Sequence, residues 1–369
     1  MREYLLCLAL AAAVTYLLTP LVRRFAVAVD AIADVRDRDV HKAPMPRLGG
    51  LAMLLGMLAA FALASTLPFL GGLYNDSGPI RGLVLGAGVL AILGYFDDRI
   101  GLDAPAKLAG QVMAGILVAL NGVQLYWLPL GGGALSLDPT TSVLITVFAI
   151  VVVINAVNFV DGLDGLAASV GGIAALAFGA YSYQLSVVYG FDRATLAGLV
   201  AAVLAGICFG FLPHNWNPAR LFMGDTGSMI IGLLLAASSI TLTGQVDPTA
   251  LSTVELLPAA LPLLLPVIII ALPLLDMALA VIRRTRAGLN PFQADKLHLH
   301  HRLLQRGHSH RRAVLVMDVW ATLVAVAAVG VAFLPTERYL MVVGGLLLVC
   351  VVATLWRPSH HSGRRGVAG

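Results

Sequence analysis

Polar residues that could do chemistry stand in four places along an otherwise apolar chain: Asp97-Asp98, Asn155 to Asp164, Gly224-Asp225 and His298 to His301. Carboxylates and imidazoles are costly beside hydrocarbon and are kept there when something uses them. Adjacent carboxylates such as Asp97 and Asp98 repel, a setting in which one can act as a base; the bland alternative is a solvated helix end followed by Arg99. In Asn155-Ala-Val-Asn158-Phe-Val-Asp161-Gly-Leu-Asp164-Gly-Leu the polar residues recur every third position, one face of a helix end. Such hard oxygens suit Mg²⁺, which takes one or two carboxylates together with substrate phosphates and water. A turn punctuated by Asp-Gly would explain Asp161-Gly162 and Asp164-Gly165, but not Asn155 and Asn158.

From His214 to Ser228 the chain reads His214-Asn-Trp-Asn217-Pro-Ala-Arg220-Leu-Phe222-Met-Gly224-Asp225-Thr-Gly227-Ser228. Here an aromatic, a carboxylate and a hydroxyl sit among small residues that let a ligand approach the backbone. The alternative is a capped helix start, with Asp225 or Ser228 as the cap. No Walker A phosphate loop occurs anywhere in the chain. The segment Arg283 to Arg312 combines His298, His300 and His301 with Lys296 and Arg302, a composition suited to phosphate oxygens. Zinc is a weaker reading without cysteines or an H-E-x-x-H helix, and anchoring to anionic lipid would account for the arginines but not the histidines.

The elements that must hold these groups are membrane helices. The chain is 59% hydrophobic and 12% charged, with a mean hydropathy of +0.89, whereas soluble domains carry about a quarter charged residues. Cys7, Cys208 and Cys350 fall inside apolar runs and show no disulfide or metal spacing. Spans long enough to cross a bilayer are expected at 4–22, 48–70, 80–96, 106–121, 140–160, 165–189, 194–213, 228–243, 256–282, 313–334 and 338–356. The first is expected to be a retained helix, since Ala11-Ala12-Ala13 lies mid-run and further spans follow. The fourth and eighth are the shortest and most interrupted. The reading is therefore an all-α, polytopic membrane protein of about eleven helices, with one transmembrane domain (1–356) and a basic, disordered tail (357–369).

With the amino terminus outside and the carboxyl terminus cytoplasmic, Arg2, Arg81, Arg193 and Arg338 alone among the 24 Lys and Arg residues lie outside. That is the asymmetry by which Lys and Arg hold loops in the cytoplasm. The net charge of +4 then reflects topology and gives no reason to expect nucleic acid. Each polar cluster follows an odd-numbered span, so all four face one compartment, the cytoplasm. The outer connections, with Gly71-Gly72 and Gly131-Gly132-Gly133, look inert by comparison. Within span nine, Pro258, Pro262, Pro266 and Pro273 predict a bent helix and, with it, a lateral groove for a lipid chain. Asp276 and Asp318 are expected to have buried partners.

In their order the motifs resemble those of the polyprenyl-phosphate N-acetylhexosamine-1-phosphate transferases, the family of WecA-type and MraY-type enzymes. The resemblance rests on His41-Lys42-Ala-Pro-Met-Pro46-Arg47-Leu-Gly49-Gly50, Asp97-Asp98 with Lys107 and Gln111, Asn155 to Ala167, Phe222-Met-Gly-Asp225-Thr-Gly-Ser228 and His298-Leu-His300-His301-Arg302. Pro46-Arg47-Leu-Gly-Gly and His-x-His-His-Arg place it nearer the WecA type. What the resemblance implies is UDP-N-acetylglucosamine as donor, a polyprenyl phosphate lipid as acceptor, UMP as by-product and a plasma-membrane enzyme working on the cytoplasmic face, with a homodimer left open. It implies Mg²⁺, with Mn²⁺ as a substitute, held by Asp225 with Asn158 and Asp161 as further ligands. Catalytic roles fall to Asp97, Asp98 and Asp161, and substrate contacts to His41, Lys42, Arg47, Lys107, Asn155, Phe222, His298, His300, His301 and Arg302. The alternatives are an MraY-like transferase of phospho-N-acetylmuramoyl-pentapeptide and, in another class, a secondary transporter. Transporter sites lie near the midplane of repeated halves, whereas here the acidic groups gather at one surface and no internal repeat is evident.

Overall fold

The computed structural model describes residues 1–33, 44–130, 133–188, 194–244, 285–286, 309–330 and 333–355. Ten long helices occupy these segments: α1 Arg2–Ala28, α2 Gly49–Ala64, α3 Gly78–Ile100, α4 Ala104–Leu120, α5 Pro139–Val160, α6 Leu166–Val188, α7 Ala194–Asn215, α8 Gly224–Gly244, α9 His310–Gly330 and α10 Thr336–Leu355. Eight are long and apolar enough to cross a bilayer, and α2 and α4 are shorter apolar helices. They coincide with ten of the expected spans; the proline-rich ninth, with Asp276, lies outside the described residues, as do His41, Lys42, His298, His300, His301, Arg302 and the basic tail.

Local chemistry explains where the helices begin and stop. Asp103 and Asp138 cap α4 and α5, each accepting backbone N–H groups of the first turn with a proline at the next positions. Gly101, at φ +69, ends α3 in a conformation other residues resist. Two boundaries differ from expectation. Span eight starts at Gly224, not 228, so Asp225 lies in the first turn of α8; likewise Asp97 and Asp98 lie inside α3, not beyond it. An apolar run marks the hydrocarbon slab, while the helical hydrogen-bond ladder continues past it into the interface.

The helical membrane architecture is as expected, with two short antiparallel strand pairs added to it. β1 (Ile32–Ala33) pairs with β2 (Met45–Pro46), and β3 (Trp127–Leu130) with β4 (Gly133–Ser136), both antiparallel. The connection that holds β3 and β4 is anchored: Trp127 is fully buried, Leu125 N–H donates to Thr146 Oγ1 at 2.9 Å, and Ser142 donates to the Leu125 carbonyl at 2.8 Å.

Helix α8 is the centre of the bundle. Its apolar window is 100% buried, against 6% for α10, and it packs on α2, α3, α5, α6 and α7. Lipid tails are as apolar as leucine, so close packing and small residues hold such helices together. A Cβ at Gly232 would stand 2.6 Å from the Ile154 backbone of α5. The pair Gly206 and Gly210 of α7 meets the α1 backbone, where added Cβ atoms would lie 2.4 Å from Leu8 O and 2.3 Å from Ala12 O. All three cysteines are free and buried, as expected. Asp318 of α9 has a buried partner, Ser169 of α6, whose hydroxyl donates to it at 2.6 Å.

Because backbone cannot step aside, Gly210→Leu is expected to lower the unfolding midpoint in detergent by an amount equivalent to about 2 to 3 kcal/mol. Gly88→Leu, at a position with nothing within 4 Å, should leave the midpoint nearly unchanged. Intrinsic fluorescence on heating reads both.

Candidate active site

Four helix ends meet at a single place. Asp97 and Asp98 come from the last turn of α3, Lys107 from the first turn of α4, Asn158 and Asp161 from the end of α5, and Asp225 from the start of α8. At the centre is an ammonium group shared by two carboxylates: Lys107 Nζ lies 2.6 Å from Asp97 Oδ2 and 2.7 Å from Asp225 Oδ2. The other oxygen of Asp97 accepts Leu102 N–H at 2.7 Å. Asn158 hydrogen-bonds the carboxylate of Asp225.

Asp98 has a different set of neighbours. Its Oδ1 accepts Asp225 N–H at 3.2 Å and lies 4.0 Å from the Arg47 guanidinium. Its Oδ2 is buried without a hydrogen-bond partner. That oxygen rests against Gly224, where an added Cβ would stand 2.1 Å away and where φ is +68. Only glycine satisfies both demands.

The loop before α8 is held by backbone pairing with the segment that carries Arg47. Phe222 N–H donates to Pro46 O at 3.0 Å, Gly49 N–H to Phe222 O at 3.0 Å and Gly50 N–H to Met223 O at 2.8 Å. Leu48 adopts φ +79 to make this turn. A Cβ at Gly50 would stand 2.2 Å from Gly227 N, and one at Gly94 would stand 2.4 Å from Thr226 N. The Pro-Arg-Leu-Gly-Gly motif is therefore a clasp on the α8 start as well as the source of Arg47.

Asp161 is half-buried where α5 ends, its N–H reaching back to Val157 O and Asn158 O. Desolvation first, and then the negative charge of Asp225, push its carboxyl up to about 7, with Arg47 acting in opposition. Asn155 is placed one turn further into α5, where its amide donates to Gln111 Oε1 at 2.7 Å and to Val151 O at 2.8 Å. It ties α5 to α4 below the site, and Gln111 in turn reaches Met229 Sδ of α8 at 3.8 Å.

Sequence reasoning gave Asp161 a role and left Asp164, Asn217, His310 and Arg311 with none of their own. Asp164 is buried, and its Oδ2 accepts Asn217 Nδ2 at 2.9 Å and Ala219 N–H at 3.0 Å. Nothing in the Asp-Gly-Leu-Asp-Gly spacing shows that its second acid also joins two loops. Among the described residues no three His, Cys, Asp or Glu side chains form a ready metal cage. Even so, four carboxyl groups, of Asp97, Asp98, Asp161 and Asp225, gather with two cations, Lys107 and Arg47, and one buried oxygen of Asp98 has no hydrogen-bond partner.

The glycosyl transferase family 4 profile matches residues 80–243, the stretch holding Asp97, Lys107, Asn158, Asp161 and Asp225. The decaprenyl-phosphate N-acetylglucosaminephosphotransferase of Mycolicibacterium smegmatis is 45% identical over 361 residues, 96% of this chain and 88% of that protein. The chain belongs to this family. The probable undecaprenyl-phosphate N-acetylglucosaminyl 1-phosphate transferase of Bacillus subtilis is 31% identical over 318 residues, covering 85% of this chain and 80% of that protein. A phospho-N-acetylmuramoyl-pentapeptide-transferase of Desulforudis audaxviator is also 31% identical, over 335 residues, covering 85% of this chain and 91% of that protein. The motif resemblance is thus matched by likeness along nearly the whole chain, and the family shows the chain to be an enzyme of sugar-phosphate transfer.

The electrostatics of Asp161 give a pH test. Folded, the carboxyl keeps its proton up to about 7; unfolded, it releases it near the ordinary 3.8. The native state is therefore favoured by this group below that lower value and loses the contribution as pH rises through about 7. With divalent ions removed by EDTA, Asp161→Asn should flatten the fall in unfolding midpoint between pH 5 and pH 8 relative to the parent chain.

Proposed function

We propose that the protein transfers N-acetylglucosamine 1-phosphate from UDP-N-acetylglucosamine to a polyprenyl phosphate. The products are UMP and polyprenyl-pyrophosphoryl-N-acetylglucosamine, the first membrane intermediate of a cell-envelope polysaccharide. The observation that carries this reading is the Asp97–Lys107–Asp225 constellation at one end of a membrane helix bundle, with Asn158 and Asp161 beside it. A water-soluble nucleotide sugar and a lipid phosphate can meet only at such an interface. The names of the mycobacterial and Bacillus relatives point to the same donor sugar and a polyprenyl acceptor, and identity is higher to the mycobacterial enzyme than to the muramoyl-pentapeptide enzyme.

The topology that goes with this reading has eleven crossings, the amino terminus outside, the carboxyl terminus in the cytoplasm and the site on the cytoplasmic face of the plasma membrane. Lys and Arg placement supports it.

Mg²⁺, with Mn²⁺ as a substitute, suits a cluster of hard oxygens that forms no complete cage among the described residues, because Mg²⁺ finishes its octahedron on phosphate oxygens and water. Asp225, Asn158 and Asp161 would hold it. Bound there, it would neutralise the pyrophosphate and the charge on departing UMP.

This chain's own residues supply the rest. A phosphate monoester with a second pKa of about 6 is already mostly dianionic at neutral pH, so Asp97 has only a residual proton to take and otherwise orients the acceptor. Lys107, with its side chain 31% exposed, is placed to exchange a carboxylate for a phosphate oxygen. Arg47 adds a second cation near Asp98 and Asp161. Phe222 would stack on uracil, and His41, Lys42, His298, His300, His301 and Arg302, all outside the described residues, would hold phosphates.

Purified protein should release UMP from UDP-N-acetylglucosamine only when Mg²⁺ and a polyprenyl phosphate are both present. Asp97→Asn should lower turnover by about 100-fold, the scale of a misoriented reacting group, with folding unchanged by size exclusion. Near-normal turnover would remove Asp97 from the chemistry, and preference for UDP-N-acetylmuramoyl-pentapeptide would move the chain to the other branch of the family.

A further inference from the structure

Two layers of side chains join the same three helices. The layer at the site consists of Lys107 on α4, Asn158 on α5 and Asp225 on α8, with Lys107 Nζ 2.7 Å from Asp225 Oδ2 and Asn158 hydrogen-bonded to the same carboxylate. The other layer is Gln111, Asn155 and Met229: four residues on from Lys107, three back from Asn158 and four on from Asp225. Residues at these spacings lie one above another on one face of a helix. Helices α4 and α8 start at the site and α5 ends there, so all three steps lead one turn away from it into the bundle.

Gln111 is the hub of that inner layer. It is 2% exposed, and both ends of its amide are engaged: Oε1 accepts Asn155 Nδ2 at 2.7 Å, and Nε2 reaches Met229 Sδ at 3.8 Å. Asn155 Nδ2 also donates to Val151 O at 2.8 Å, which holds the side chain against its own helix. Among apolar helices no water replaces a lost partner, so an amide left unpaired there is costly. A slide of about 1 Å between helices is enough to break such a bond.

We propose that Gln111 and Asn155 are positioning residues that set the register of α4, α5 and α8 and so bring Lys107, Asn158 and Asp225 within reach of one another; neither touches substrate. A second amide bridge makes the contrast. Gln124, just past the far end of α4, donates to Ala119 O at 2.7 Å and accepts the Ser142 hydroxyl of α5 at 3.1 Å. It too ties α4 to α5, but at the end of these helices away from the site. An amide that only held helices together would matter alike in both places.

The proposal rests on the transfer reading above, and the experiment separates the two. UMP release is followed for the parent enzyme, Gln111→Met, Asn155→Ala, the Gln111→Met/Asn155→Ala double variant and Gln124→Met. For each, kcat per folded protein, KM for UDP-N-acetylglucosamine and for the polyprenyl phosphate, and the unfolding midpoint are measured. If the parent enzyme releases no UMP, the transfer reading fails, and the midpoints decide the register: a double variant falling by the sum of the two singles would overturn the proposal, since residues acting through one bond do not add.

Given an active parent, Gln111→Met and Asn155→Ala should each lose at least about tenfold in kcat, part of the roughly 100-fold that a displacement of about 1 Å can cost, with both KM values within about threefold. The double variant should be no worse than the less active single. Gln124→Met should lower the midpoint yet keep kcat within about twofold of the parent. An equal fall of kcat in Gln111→Met and Gln124→Met would make Gln111 general scaffolding, and a KM raised about tenfold or more in Asn155→Ala would make Asn155 a substrate contact; either overturns the proposal. If Gln111→Met does not fold, Asn155→Ala decides: an unchanged kcat there would overturn it as well.

Discussion

Everything at the working end of this bundle depends on one cation shared by two acids. Lys107 reaches Asp97 and Asp225 at hydrogen-bond distance and so joins α3, α4 and α8. Each charge taken from water costs several kcal/mol, recovered only when the geometry is close and the remaining polar atoms are satisfied. Helix dipoles do not help all three members. Asp225 in the first turn of α8 sits at the favourable positive end, but Asp97 at the end of α3 and Lys107 at the start of α4 each occupy the end of the wrong sign. Two placements that oppose the local field persist because the groups face each other. Breaking a local rule in this way is the mark of a site kept for function.

For the cluster to exist, the helices that carry it must approach at backbone distance, and glycine permits that. Gly94 lies against Thr226, Gly50 against Gly227 and Gly224 against Asp98, so the start of α8 is wedged between α2 and α3. The hydrogen bonds from Gly49 and Gly50 to Phe222 and Met223 then fix its rotation. Asp225 consequently points at Lys107, while its own N–H is held by Asp98. Packing and chemistry are the same contacts here: a bulkier residue at position 50 or 94 would act on Asp225 through the backbone of α8 without touching a substrate.

How much of this could be read beforehand follows from the kind of signal each feature leaves. Hydropathy shows the length of a buried run, so ten of the expected spans coincide with described helices. Span parity is a counting property, so it placed the clusters of α3, α5 and α8 at one end, where Asp97, Asp161 and Asp225 do converge. Hydropathy says nothing about where a helix ends in the interface, which is why Asp225 and the Asp97 pair were placed outside helices that contain them. The hairpins were missed because strands of two and four residues leave no period to detect. The role of Gly50 and Gly94 was invisible for another reason: a glycine at a helix crossing has no distinguishing neighbour in the chain, only in space.

Asp161 and Asp164 show where a repeated motif stops being informative. Both are followed by glycine, both precede an apolar helix, and the intervening residues are equally apolar. What separates them is the turn itself. Asp161 is still on the last N–H bonds of α5, which hold it over the cluster, whereas Gly165, at φ +84, turns the chain into α6 and swings Asp164 toward Asn217 and Ala219. Acids three residues apart in a motif share a pattern but not a direction, and direction decides which neighbours each carboxylate meets. In a membrane enzyme the difference is sharpened, because an acid without such neighbours would have no reason to stay so close to hydrocarbon.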